Sequence, residues 1–234
     1  MGIEEILSGD GIPANPDLQL SLLRQTDNGW HNLDPPEDEQ PGDPLSLAGI
    51  SATASIQQQF LFLAQTHTGY VEDSRGRSTF GIWYGNQPDI DNPAYDSAPW
   101  CDMFLANLAY NLLGHAGLRA VGDYALTTAH AAFLHRKGVT SRPDVFPEGA
   151  WVFQNWDLNG TGNGNLGRID HVEIVEKDNR NGTITTVGGN VDNGVRRRTR
   201  SKSYAVVIAE WWKILPPVSV PQPRSEDWYM RRHR

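Results

Sequence analysis

Ser97-Ala98-Pro99-Trp100-Cys101-Asp102-Met103-Phe104-Leu105-Ala106-Asn107-Leu108-Ala109 holds the only cysteine in a chain of 234 residues. Ser97 can cap a helix and Pro99 suits a first helical position. Beyond them Phe104, Leu105, Leu108, Leu112 and Leu113 recur at helical spacing, up to Gly114. The pattern predicts a loop that turns into a buried helix, with Cys101 in its first turn and a stop at Gly114. In a first turn the unpaired N–H groups and the macrodipole favour an anion, which lowers a thiol pKa toward the nucleophilic thiolate. The plain alternative is a small buried hydrophobe, because free cysteine is often buried and inert.

A base for such a thiol stands in the C-terminal half. Arg168-Ile169-Asp170-His171-Val172-Glu173-Ile174-Val175 alternates like a half-buried strand, with His171 near its start. After a turn at Asn179-Arg180-Asn181-Gly182, Thr183-Ile184-Thr185-Thr186-Val187 forms a second strand and runs into Gly188-Gly189-Asn190. Such a hairpin brings His171 close to the 188–190 segment. A cysteine nucleophile needs an imidazole to take its proton, and the imidazole needs an acceptor to fix its tautomer. Cys101, His171 and Asn190 supply these parts in that order.

These segments resemble the CHAP domain, the cysteine- and histidine-dependent amidohydrolase/peptidase branch of the papain-like NlpC/P60 superfamily, in its actinobacterial and phage versions. The resemblance is carried by Ala98-Pro99-Trp100-Cys101, by Asp170 to Val175, and by Thr183 to Asn190 continuing through Asn193-Gly194-Val195 to Arg200. Phe80-Gly81-Ile82-Trp83-Tyr84-Gly85 and Pro147-Glu148-Gly149-Ala150-Trp151-Val152-Phe153 extend it. It implies an α+β, papain-like fold with N-terminal helices packed on an antiparallel β-sheet. It implies Cys101, His171 and Asn190 as catalytic residues and peptidoglycan as substrate, cut at the N-acetylmuramoyl–L-alanine amide or within its peptides. Two positions depart from the pattern. Gly188 stands where many members carry a carboxylate, and Asp102 puts a negative charge beside the thiol.

The formal net charge of −8 and pI of about 5.3 argue against general nucleic-acid binding. One cysteine excludes an intramolecular disulfide framework and a cysteine-rich zinc site. The first residues, Met1-Gly2-Ile3-Glu4-Glu5-Ile6-Leu7, lack a basic start and a long apolar core, so they do not read as a secretory signal. No run approaches the ~18 apolar residues of a membrane span. The expectation is synthesis in the cytoplasm, no membrane partner, and action on the wall after holin-dependent release or delivery by a phage-tail-like injection machine.

Residues 1–46, with the acidic, proline-rich run Asp34 to Pro44, read as an extension or linker. Residues 47–215 read as the catalytic domain and 216–234 as a proline-containing tail. Helical spacing runs from Leu45 to about Thr68, and a further helix is expected over Tyr124–Lys137. That helix carries His130 and His135, five apart, which read as structural or surface residues rather than metal ligands. Residues 70–96 are rich in glycine and proline and read as loop. Trp83, Tyr84, Trp100 and Trp156 are the candidate substrate-binding aromatics, against the commoner outcome that such rings pack in a core. Asp157, Asn159 and Thr161 have the spacing that opens a calcium loop, but Arg168 stands where the bidentate Glu belongs. The expected reading is a glycine-rich turn and no cofactor. Val195 to Lys202 forms a basic stripe, read as a solvated strand face in preference to a polymer-binding one. Tyr204 to Ala209 reads as a buried strand. From a different functional class come two alternatives: a non-catalytic wall-binding module that keeps the fold, and a cysteine peptidase acting on protein.

Overall fold

A computed structural model of the chain describes residues 54–156 and 166–215. The proposed extension, the tail and the turn at 157–165 with its calcium-like spacing lie outside the described residues. The fold is α+β. Four helices, α1 (Ile56–Thr66), α2 (Thr79–Gly85), α3 (Cys101–Val121) and α4 (Thr127–Arg136), precede most of the sheet. The strands are β1 (Thr140–Ser141), β2 (Trp151–Gln154), β3 (His171–Asp178), β4 (Thr183–Val191), β5 (Gly194–Ser201) and β6 (Ala205–Ala209). They form one antiparallel sheet in the order β1-β6-β2-β3-β4-β5. No helix among the described residues is long and apolar enough to cross a membrane.

Several boundaries differ from the sequence reading for identifiable reasons. α1 starts at Ile56, where Ser55 and Gln58 form a reciprocal capping box, and residues 45–53 of the expected helix lie outside the described residues. α2 lies inside the stretch read as loop. Its Gly81 and Gly85 are needed because the backbone of Asn92–Asp96 crosses directly over them, so glycine there marks close approach rather than a loop. The cysteine helix begins at Cys101 itself. Trp100 is its N-cap and gives no side-chain cap bond, so neither Ser97 nor Pro99 takes the expected position. The stop at Gly114 appears as a break: that residue has φ 69° and ψ −178°, after which helical backbone resumes to Val121. α4 is trimmed to Thr127–Arg136.

The helices bury one face of the sheet. Phe60 from α1, with Phe104, Leu105 and Leu108 from α3, packs in one cluster with Trp151, Phe153, Val172, Ile174, Val187, Val207 and Trp211. A smaller cluster, including Phe146, Val152, Val175, Ile184 and Ile208, forms a separate group. Strand alternation produces this split, because successive side chains point to opposite faces. The buried strand expected at 204–209 is present as β6, with all five residues buried.

The start of the cysteine helix presses on β4 at Gly189. A Cβ there would lie 2.6 Å from Phe104 Cβ and 2.8 Å from the Trp100 ring. Only a glycine lets helix and strand approach this closely. Gly189→Ala is therefore expected to destabilise the fold by about 1–3 kcal/mol through overpacking. Urea unfolding followed by tryptophan fluorescence measures it, and an unchanged midpoint would contradict the packing described.

Candidate active site

Cys101 is the first residue of α3 and is 4% exposed. Its sulfur accepts the backbone N–H of Val172, the residue after His171. Val175 on the same strand gives its N–H to Ala150 beside β2, so alternation points the Val172 N–H toward β4. The β3–β4 pairing begins only at Ile174↔Val187, which leaves that N–H for the thiol. The sulfur thus approaches β3 edge-on, at the end of the sheet where His171 opens the strand. Burial pushes the Cys101 thiol up, to about 12, with the neighbouring Asp102 charge adding to the effect. The expectation of a thiol pKa lowered by the helix start is overturned: loss of hydration outweighs the two backbone N–H groups, of Val172 and Asp102, that favour the anion.

His171 is also 4% exposed. Trp156 lies over it, with ring centroids 3.9 Å apart and planes at 33°. The Trp156 indole N–H donates to Gln154 Oε1 at 2.7 Å, and its backbone N–H donates to the Asp170 carboxylate at 2.9 Å. The Arg200 guanidinium sits 4.5 Å from the same ring. His171 Nε2 lies 3.3 Å from Glu173 Oε1, at ion-pair distance but outside hydrogen-bond geometry, and it is a buried nitrogen without another partner.

Glu173 is fully buried and was not among the sequence candidates. It takes a hydrogen bond from Arg200 Nη2 at 2.8 Å, from Thr186 Oγ1 at 2.5 Å and from Gln154 Nε2 at 3.1 Å. Burial alone would raise its pKa. The His171 and Arg200 groups more than offset this and hold the carboxyl down at about 2. The side chain occupies the space over Gly188, where a Cβ would stand 2.6 Å from Glu173 Cγ. A signal for it existed in the sequence: a charged residue two positions after His171 must share its strand face.

Asn190 lies on β4, half-buried, with φ 57°, in the irregular stretch between Gly188 and Val191. Among the four aromatic candidates, Tyr84 and Trp100 are each 1% exposed and belong to the core. Trp100 stacks on Phe80 and donates its indole N–H to Glu72 at 2.8 Å. Trp83 is half-buried against Tyr110, and Trp156, 36% exposed, is the one that stands at the imidazole. The basic stripe is matched within the fold. Arg197 pairs with Glu176, Arg198 with Asp192, Arg200 with Glu173 and Lys202 with Asp178, while Arg196 donates to the Tyr70 carbonyl.

A second buried carboxylate stands next to the thiol. Asp102, fully buried, accepts from His130 Nδ1 at 2.7 Å, while His130 Nε2 lies 2.9 Å from the Val121 carbonyl. Both ring nitrogens face acceptors, which favours the protonated imidazole. Burial lowers its pKa, but the Asp102 charge and both hydrogen bonds raise it above the ordinary 6.5. His130 is buried and paired within the fold, and its partner is the residue after Cys101.

Comparison with family models, curated proteins and solved structures gives no match.

The His130 pair carries a pH signature. A folded-state pKa above the unfolded value of 6.5 makes its contribution complete below that pH and lost as pH rises through the folded value. The melting temperature of the wild type is expected to fall as pH is raised above 6.5, with a shallower fall in Asp102→Asn/His130→Phe. Equal slopes in thermal scans across this range would contradict the assignment.

Proposed function

We propose that this chain is a cysteine-dependent amidohydrolase with a papain-like, CHAP-type catalytic domain, and that its substrate is peptidoglycan. The observation that supports the chemistry is the meeting of a helix-start thiol with the first turn of β3. The Cys101 sulfur takes the Val172 N–H, one residue from an imidazole whose Nε2 faces a buried carboxylate. The substrate class rests on the resemblance carried by the segments around Cys101, His171 and Asn190. The same resemblance would give Asn190 the part of acceptor for the imidazole, but Nε2 makes no hydrogen bond to Asn190 and faces Glu173 instead.

With Nε2 turned to Glu173, Nδ1 is the nitrogen left for the thiol. His171 takes the Cys101 proton as the sulfur attacks the amide carbonyl. The backbone N–H of Cys101, at the helix N-terminus, stabilises the oxyanion. The tetrahedral adduct collapses as the imidazolium protonates the departing amine, leaving a thioester. His171 then takes a proton from water, the resulting hydroxide opens the thioester, and the acid product leaves as the thiol regains its proton. A thiol pushed up to about 12 is not a standing thiolate, so in this reading proton transfer accompanies attack rather than preceding it.

Release of soluble fragments from purified actinobacterial and Gram-negative-type peptidoglycan tests the proposal, with Cys101→Ala alongside and mass spectrometry to identify the bond. Fragment release by the wild type, reduced at least ~10³-fold in Cys101→Ala, is expected for loss of a nucleophile. If both proteins pellet with the wall and neither releases fragments, the chain is a binding module. If casein rather than wall is cut, it is a peptidase of protein.

A further inference from the structure

The sheet holds one more group whose placement bears on the imidazole. His171 and Glu173 are two residues apart on β3 and therefore point to the same face. Nε2 of His171 is buried and has no partner other than the Glu173 carboxylate, 3.3 Å away. That carboxylate is itself immobilised from three other strands: by Gln154 of β2, Thr186 of β4 and Arg200 of β5. The room it fills is the space a side chain at position 188 would take, since a Cβ on Gly188 would run into Glu173 Cγ and lie 3.1 Å from Oε1.

We infer that Glu173 is the positioning residue of His171, a carboxylate supplied from the imidazole's own strand through space left open by Gly188. This rests on the hydrolase reading for its effect on rate, but the placement can be tested without activity. Glu173 touches neither the thiol nor a substrate. It acts by facing Nε2 with a negative charge, which favours the proton on that nitrogen and leaves Nδ1 to serve as the base, and by stabilising the imidazolium that forms during transfer. Three donors other than His171 restrain the carboxylate, so the imidazole gains a fixed partner rather than a mobile one. Arg200 has two parts in this arrangement. It offsets the charge of Glu173, and it lies against Trp156, the ring that covers His171.

The geometry also predicts an interchange. If what matters is a carboxylate in this volume, moving it from β3 to β4 should preserve the arrangement. Glu173→Ala empties the space, and Gly188→Glu refills it from across the strand pair. Gly188→Glu alone should fail, because both side chains would claim the same space.

The first test is NMR on the full chain in the Cys101→Ala background, where no turnover is needed. The probe is the imidazole N–H signal of His171, assigned by its loss in His171→Ala. An Nε2–H buried against a carboxylate and shielded from solvent gives a slowly exchanging resonance. The expected result is that Glu173→Gln weakens or abolishes it while Asn190→Ala keeps it, and that Glu173→Ala/Gly188→Glu restores it. Loss of the resonance in Asn190→Ala, with no change in Glu173→Gln, would overturn the inference and return the role to Asn190. The second test is kinetic, on wall substrate with Cys101 present. Glu173→Gln is expected to lower kcat by about 10²- to 10⁴-fold with KM little changed, the range over which an orienting carboxylate acts. The double variant should recover at least ~10-fold of that loss. Equal kcat in Glu173→Gln and wild type would also overturn it. If the NMR result holds and no hydrolysis is seen in any variant, the positioning stands and it is the hydrolase reading that fails.

Discussion

A carboxylate with no access to water constrains the C-terminal half of this protein. Removing an isolated carboxylate from water costs several kcal/mol unless charge and hydrogen bonds replace the lost hydration. Glu173 is fully buried, and the replacement comes from four strands together. Gln154 reaches it from β2, Thr186 from β4 and Arg200 from β5, while His171 faces it from β3. A slip of one residue in any of these pairings would turn a donor to the opposite face and strand the charge. The register of the sheet and the placement of the imidazole are therefore set by the same group. The neighbouring pair of glycines separates two demands. Gly188 leaves room for the carboxylate, and Gly189 leaves room for the start of the cysteine helix.

The other buried carboxylate, Asp102, has a different task. Its charge acts against a thiolate at Cys101, yet it anchors the helix start to α4 through His130. Because the Asp102 contact favours the protonated form of His130, the residue beside Cys101 belongs to a charge pair rather than standing as an isolated anion. Tyr124 stacks on His130, and Trp151 and Phe153 meet it edge-on, so the pair is enclosed by aromatic rings. The thiol is left buried and raised in pKa. In the proposed hydrolase reading, activation falls on proton transfer at the imidazole more than on the field of the helix.

Sequence patterns made the hairpin legible, because alternation over 168–175 and the turn at 179–182 are local signals. The buried β6 was legible for the same reason, whereas the stop expected at Gly114 is only a break, and the helix continues to Val121. The start of α3 was not, since Ser97 and Pro99 satisfy local rules that the Trp100 turn overrides. α2 was hidden because glycine usually marks loops, whereas Gly81 and Gly85 serve a backbone crossing formed from residues 92–96. Of the candidate site, the helix-start thiol and the strand-start imidazole could be read directly. The Glu173 carboxylate was missed although its spacing from His171 puts it on the same face, because a Glu in a strand read as half-buried is taken for the solvent side, whereas His171 to Val175 are all buried. The pairing of Asp102 with His130 depends on packing between two helices that no local pattern encodes. The aromatic candidates divided by burial: Trp100 and Tyr84 support the helix, while Trp156 covers the imidazole.

The central claim is that Cys101 and His171 act as one proton-sharing unit in a buried site. The rate of Cys101 alkylation by iodoacetamide, followed by mass spectrometry across the pH range, tests it most directly. The account predicts that wild-type Cys101, with His171 available to take its proton during attack, labels faster than His171→Ala at every pH below the raised thiol pKa. It predicts that His171→Ala labels only in strong alkali, because burial and the Asp102 charge still hold the thiol pKa up and no base is left to take its proton. Identical profiles for the two proteins, both rising only at alkaline pH, would contradict it.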